Sequence, residues 1–262
     1  MSTALVLCGG STHGAIEVGL YKAIEETGHS FDFIVGTSVG AINGALIAAG
    51  ISAKELEHHW RSLSKSDFMN FRWWWWKLLR NKSSICTQKH LENFLRSVLP
   101  IQSFESLHHK LVVIATDLTY NQPVIIENGN LIEAILASCA IPGIYPPRFF
   151  QGKWLIDGAV SANSPVLIAR NLGAKRIITF PCRCTSDAHS TPVSLMNIVL
   201  KSLAILIKTQ DECHHNLVSA DTELILIQNC PGKHVERFDF ERAHELIDSA
   251  YERALEVLKH WQ

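Results

Sequence analysis

A chain of 262 residues, 47% of them hydrophobic, is long enough for one large α/β domain or two small ones and too apolar to be disordered. Its 24 basic and 25 acidic residues nearly cancel, so no global basic field points to nucleic acid and no acidic tail stands out. Seven scattered cysteines without repeated spacing argue against a disulfide framework and fit reduced thiols in a cytoplasm-like compartment.

Met1-Ser-Thr runs straight into an apolar strand, Ala4 to Cys8, with no basic start, so no signal peptide is expected. The strand enters Gly9-Gly10-Ser11-Thr12-His13-Gly14, and a helix follows from Ala15 to Thr27, stopped by Gly28. Such a strand, glycine loop and helix form an anion cradle, because successive backbone N–H groups and the helix N-terminus converge on one spot. Nucleotide binding needs a Lys-Ser/Thr after the glycines or an acidic residue ending the second strand, and neither is present. The other use is an oxyanion hole built from the N–H groups of Gly9, Gly10 and Ser11.

Its counterpart is the stretch from Phe33 to Ala49. Phe33-Ile34-Val35 reads as a strand that breaks at Gly36, and after Ser38 the Ala/Gly/Leu-rich run reads as a tightly packed helix ending at Gly50. Gly36-Thr37-Ser38-Val39-Gly40 sits at the turn, where Gly36 and Gly40 let the backbone pass close to its neighbours and push Ser38 into the open as a candidate nucleophile. The competing reading is a serine that only caps the helix.

Ser52 to Glu55 reads as a capping box opening a helix to Leu63. Trp73, Trp74, Trp75 and Trp76 then stand together, with Lys77, in the basic stretch 68–82, which holds no acid. Four adjacent rings cannot all enter one core, so this segment is expected to meet a membrane surface or to cover the cleft as a lid. Thr87 is expected to cap a helix ending at Pro100. Leu111 to Thr116 and Gln122 to Ile126 read as strands, and Leu131 to Ser138 as a helix. Phe149 to Ile156 reads as a hairpin turning at Gln151-Gly152 and delivering Asp157-Gly158-Ala159. Asp157, at the end of an apolar strand, is the candidate base. A helix from Ser164-Pro165 to Leu172, strands Arg176–Phe180 and Glu223–Ile227, and an amphipathic closing helix with Ala243, Leu246, Ile247 and Leu258 complete the chain. The apolar stretch from Ser194 to Thr209 is interrupted by Asn197, Lys201 and Lys208, too short and too charged to span a bilayer. Cys182, Cys184, His189, Cys213, His214 and His215 match no usual zinc spacing, so neither a metal nor a cofactor is expected.

The glycine loop, the serine elbow and the distant Asp157-Gly158-Ala159, in that order and with Ala137 to Pro142 ahead of the aspartate, resemble the patatin-like phospholipases from about Leu5 to Pro165. No internal repeat or low-complexity linker divides residues 1–262, which read as a single domain; the resemblance implies an α/β fold, with a mostly parallel sheet flanked by helices and the elbow after the second strand. It also implies a Ser-Asp dyad that hydrolyses lipid acyl esters, and the tryptophan-rich stretch makes a membrane surface an expected partner. Nucleic acid is not an expected partner, and no protein activator is identified. Two positions depart from the pattern: the third loop residue, usually glycine, is Ser11, and the usual Arg or Lys is His13, which is expected to supply positive charge when protonated. Two other readings stay open. One is an α/β-hydrolase triad with His234 or His244; the other is a lipid-docking protein that keeps the fold without the chemistry.

Overall fold

The computed structural model describes residues 1–64, 84, 86–181, 195–218, 221–228 and 239–261. The stretch with Trp73 to Trp76 and Lys77, His234, and the loop with Cys182, Cys184 and His189 lie outside them. Among the described residues eight strands form one sheet: β1 (Thr3–Leu7), β2 (Phe33–Thr37), β3 (Lys110–Asp117), β4 (Gln122–Ile126), β5 (Arg148–Phe150), β6 (Lys153–Asp157), β7 (Arg176–Thr179) and β8 (Glu223–Leu226). The order is β5-β6-β3-β2-β1-β7-β8, with β4 also on β3. The β3-β2-β1-β7-β8 run is parallel, while β4, β5 and β6 join antiparallel.

Alternation along β1 divides the two faces. Leu5 and Leu7 point into the larger core with Ile34, Leu111 and Val113, covered by α1 (Ala15–Thr27), α2 (Val39–Ala48), α3 (Ala53–Ser62), α4 (Lys89–Val98), α5 (Leu131–Ser138) and, beyond a polar stretch, the C-terminal helix Ala243–Lys259. Ala4 and Val6 point the other way, with Val35, Val112 and Ile114, against a thinner layer of small helices holding Ala162, Val166 and Ala169. These are α6 (Ala159–Ala162) and α7 (Val166–Asn171), over which α8 (Leu195–Leu217) lies; the C-terminal helix is therefore α9. Among the described residues no helix is long and apolar enough to cross a membrane.

Local chemistry sets the boundaries. β1 stops at Leu7, one residue short of the expected end, because the Cys8 N–H leaves the ladder for the buried Glu17 carboxylate at 2.5 Å. The Ser52–Glu55 capping box forms at α3. Thr87 does not cap α4. The helix starts at Lys89 after Gln88, whose side-chain amide is drawn inward to donate to the Leu136 carbonyl of α5 at 2.6 Å. Gln151 and Gly152 both take positive φ, the geometry of a type I′ turn, and close the β5–β6 hairpin where its pattern placed it.

Helices α1 and α9 touch along Gly19, where an added Cβ falls 2.4 Å from the Ile247 carbonyl oxygen and 2.7 Å from the Tyr251 nitrogen. Backbone on both sides leaves nothing to rotate away. Gly19→Ala is therefore expected to cost roughly 1–3 kcal/mol as the helices separate, read as a lower urea midpoint with unchanged m-value. An unchanged midpoint would show that the contact is loose.

Candidate active site

The site follows from the two edges of β3. β4 lines one edge, pairing residues 113–117, so β6 must use the other, which β2 already occupies over residues 110–114. The last β2 pair is Thr37 with Ile114, and the first β6 pair is Asp157 with Ala115. The two strands meet end to end along β3. Each ends in one of the candidate residues: β2 leads into Ser38 and β6 ends at Asp157.

The Ser38 hydroxyl donates to Asp157 Oδ2 at 2.8 Å, and the other carboxylate oxygen accepts the Ala159 N–H at 2.8 Å. Ser38 makes no side-chain bond to the helix it precedes, which removes the simple capping role. Both groups are enclosed, Ser38 at 8% and Asp157 at 3% exposure. Burial pushes the Asp157 carboxyl up to about 7, against the two hydrogen bonds that favour its charged form. A carboxylate poised there accepts a proton near neutral pH far more readily than one in water. Beside it, burial and the Asp157 charge hold the Cys139 thiol well above its ordinary value, leaving it protonated.

Ser38 carries φ 54 and ψ −120, outside the regions an L-residue prefers. Neighbours hold it there. Its N–H donates to Ser138 Oγ at 2.8 Å, and Ser138 donates in turn to the Ile114 carbonyl at 2.6 Å. Gly36, Gly40 and Gly158 make the close approaches: an added Cβ falls 2.5 Å from the Gly40 carbonyl, 2.5 Å from Leu7 and 2.2 Å from the Ile114 carbonyl, respectively. Ser138→Ala strands a buried N–H and a carbonyl together, and a loss of roughly 1–3 kcal/mol is expected by urea unfolding. A loss below about 0.5 kcal/mol would mean that the elbow does not depend on this clamp.

The glycine loop faces the nucleophile, with an added Cβ on Gly9 only 3.3 Å from Ser38 Cβ. The N–H of Gly9, however, donates to the Asn163 carbonyl at 3.2 Å. Gly10 and Ser11 keep their N–H groups without an acceptor among the described residues. Ser11 takes φ 53, the left-handed conformation that glycine at this position would adopt without strain. The buried His13 ring donates through Nδ1 to the Gly10 carbonyl at 3.1 Å, a contact that braces the loop whether the ring is neutral or charged. Gly14 closes the loop against Val39, and its carbonyl accepts from Asn43 at 2.9 Å.

Three contributors were not legible in the sequence. Ser138 lies within the recognised Ala137–Pro142 stretch but has no local mark of its role. Asn163 and Asp211 form a second brace: Asp211, buried on α8, accepts from the Asn163 side chain at 2.8 Å and the Ser164 N–H at 2.9 Å. The same Asn163 holds Gly9, so α8 reaches the loop through a single residue. Of the late histidines, His244 lies exposed on α9 and bonds the Glu241 carbonyl. Among the described residues no histidine bonds Ser38 or Asp157.

The family described as patatin-like phospholipase matches residues 5–170. The mouse patatin-like phospholipase domain-containing protein 6 is 32% identical over 67% of this chain, which spans 13% of that protein. Lysophospholipase NTE1 of Lodderomyces elongisporus is 30% identical over 71% of this chain, again 13% of its own length. The chain thus spans a small part of the curated relatives it matches. Among solved structures, full-length ExoU of Pseudomonas aeruginosa, in complex with SpcU, superposes with a TM-score of 0.52 at 15% identity, over 98% of this chain and 52% of that one, a likeness of fold.

Proposed function

The chain belongs to the patatin-like phospholipase family, and on that premise we propose that it is a lipid acyl hydrolase working through a Ser38–Asp157 dyad. The observation that carries this reading is the direct hydrogen bond between the buried Ser38 and Asp157 at 2.8 Å, with no histidine between the two groups. In the proposed reaction Ser38 Oγ attacks the ester carbonyl and its proton passes to Asp157 Oδ2. The charge that forms on the carbonyl oxygen is held by the N–H groups of Gly10 and Ser11, with Gly9 and His13 keeping the loop in place. α2 starts at the nucleophile, and its N-terminal dipole favours the same negative charge. Protonated Asp157 returns the proton to the leaving alcohol. Water then repeats the sequence in reverse order of roles, freeing the fatty acid and restoring Ser38.

The relatives' names include a lysophospholipase, so single-chain and two-chain phospholipids are both candidate substrates, reached at a membrane surface. The test is fatty-acid release by the purified chain from lysophospholipid micelles and from phospholipid vesicles, with a short-chain soluble ester in parallel. Release from either lipid is expected. Hydrolysis of none of the three would overturn the reading and favour a lipid-docking protein that keeps the fold.

A further inference from the structure

The glycine loop that faces Ser38 is anchored from outside the three motifs. α6 ends after one turn, ahead of Pro165, so the Asn163 carbonyl is left open at the helix end and accepts the Gly9 N–H at 3.2 Å. The same peptide unit carries the Ser164 N–H, which donates to Asp211 Oδ1 at 2.9 Å. A trans peptide is planar, with its N–H and C=O pointing opposite ways, so an acceptor fixed on one side aims the carbonyl on the other. Asp211 occupies that side.

Its second oxygen, Oδ2, accepts from the Asn163 side-chain amide at 2.8 Å. That side chain also packs on the loop: an added Cβ on Gly9 falls 2.6 Å from Asn163 Oδ1, and 3.3 Å from Ser38 Cβ. Gly9 is thus gripped by both the backbone and the side chain of Asn163, and one carboxylate sets both. Asp211, Asn163 and Ser164 are all buried, so water does not compete for these donors. A charged acceptor also polarises the peptide it meets, which strengthens the carbonyl's hold on Gly9.

Asp211 stands on α8, beyond residues 5–170, the part of the chain that matches the family. Two neighbours on the same helix reach the same turn: Gln210 Nε2 donates to the Ser161 carbonyl at 2.8 Å, and His215 Nε2 meets Ser164 Oγ at 2.8 Å. Of the three, Asp211 is the one bonded to the peptide that anchors Gly9.

We propose that Asp211 is a positioning residue for the hydrolysis: by fixing the Asn163–Ser164 peptide it holds the glycine loop where the N–H groups of Gly10 and Ser11 meet the oxyanion. The proposal rests on the hydrolase reading. Contacts to the oxyanion exist only once the carbonyl has been attacked, so a displaced loop lowers kcat and leaves KM near its parent value.

The test measures hydrolysis of a short-chain soluble ester by the full chain, with urea midpoints alongside. Asp211→Ala is expected to lower kcat about 30- to 100-fold with KM within about twofold of the parent's. Asp211→Asn keeps an acceptor for one of the two donors and is expected to lose only about 3- to 10-fold in kcat. Gln210→Ala, which loosens α8 without touching the 163–164 peptide, is expected to lower the urea midpoint and to keep the parent kcat. A short-chain trifluoromethyl ketone supplies a second readout: Ser38 Oγ bonds the ketone carbon, its proton passes to Asp157, and the oxygen left charged sits on the loop. Its affinity is expected to fall in each Asp211 variant by the same factor as kcat. Parent kcat in both Asp211 variants, or a raised KM with kcat unchanged, overturns the positioning role while the Ser38 reaction stands. Gln210→Ala losing as much kcat as Asp211→Ala overturns it in favour of α8 simply holding the fold together. Where Asp211→Ala does not fold, Asp211→Asn decides: a lowered kcat at unmoved KM supports the role, and the parent kcat overturns it. A parent that cleaves no ester and takes up no ketone removes the hydrolase reading and this role with it.

Discussion

Ser38→Ala is expected to lower the turnover of acyl release by about 10⁴- to 10⁶-fold while leaving vesicle binding near the parent's, because it removes the attacking oxygen. Its hydroxyl donates to the Asp157 carboxylate and also meets the Cys139 thiol, so the loss falls on the dyad. Asp157→Asn is expected to cost on the order of 10³- to 10⁴-fold, since the amide keeps the shape but cannot take the proton. The two residues act as one unit. The double variant should therefore be little worse than Ser38→Ala alone, far from the product of the two losses. Multiplying losses would mean that each residue serves a separate reaction step and would count against the dyad. Equal activity in parent and Ser38→Ala would remove the nucleophile altogether.

The second large effect is on stability, and it has the opposite sign. The Asp157 carboxyl rises from 3.8 to about 7 on folding because burial disfavours its charged form. Below pH 4 both the folded and unfolded chains carry the neutral acid, so the group contributes nothing there. Between about 4 and 7 the folded chain keeps a proton that the unfolded chain has lost, and stability falls as pH rises through this window. Above 7 the full cost is present. At about 1.4 kcal/mol per pH unit this amounts to on the order of 4 kcal/mol. Asp157→Asn removes the charge while Ser38, whose hydroxyl can rotate to accept, still has a partner. The variant should thus exceed the parent in stability by a few kcal/mol at pH 8 and match it at pH 4, by urea midpoints at both. A gap that does not widen with pH would show that the carboxylate is better solvated than its burial implies. In the parent, kcat/KM should climb about tenfold per pH unit below 7 and level off above it, because only the ionised base accepts the serine proton. The ionisation that lets this residue work is the one that weakens the fold around it.

The features legible in the chain were those written in adjacent residues. Apolar runs broken by glycine marked β1, β2 and the elbow, Gln151-Gly152 marked the hairpin, and Ser52 with Glu55 marked the start of α3. Each is a local choice of backbone conformation, settled by sterics and hydrogen bonds within a few positions. The same locality explains the error at Thr87. A cap was expected from residue type alone, while the outcome was set by a carbonyl on α5, 48 positions away from Gln88.

By itself, then, the sequence determined the fold class, the order of the elements and the three motifs, because alternation and turn chemistry are properties of short segments. Tertiary structure decided how those motifs cooperate. That β2 and β6 abut along β3 depends on β4 filling the opposite edge, a competition among four strands that no single one encodes. The same holds for Ser138 clamping Ser38 from 100 positions away and for Asn163 engaging the Gly9 amide. It holds also for the burial that brings Asp157 to about 7: an aspartate followed by glycine is commonplace, and only the protein packed around it makes it a base.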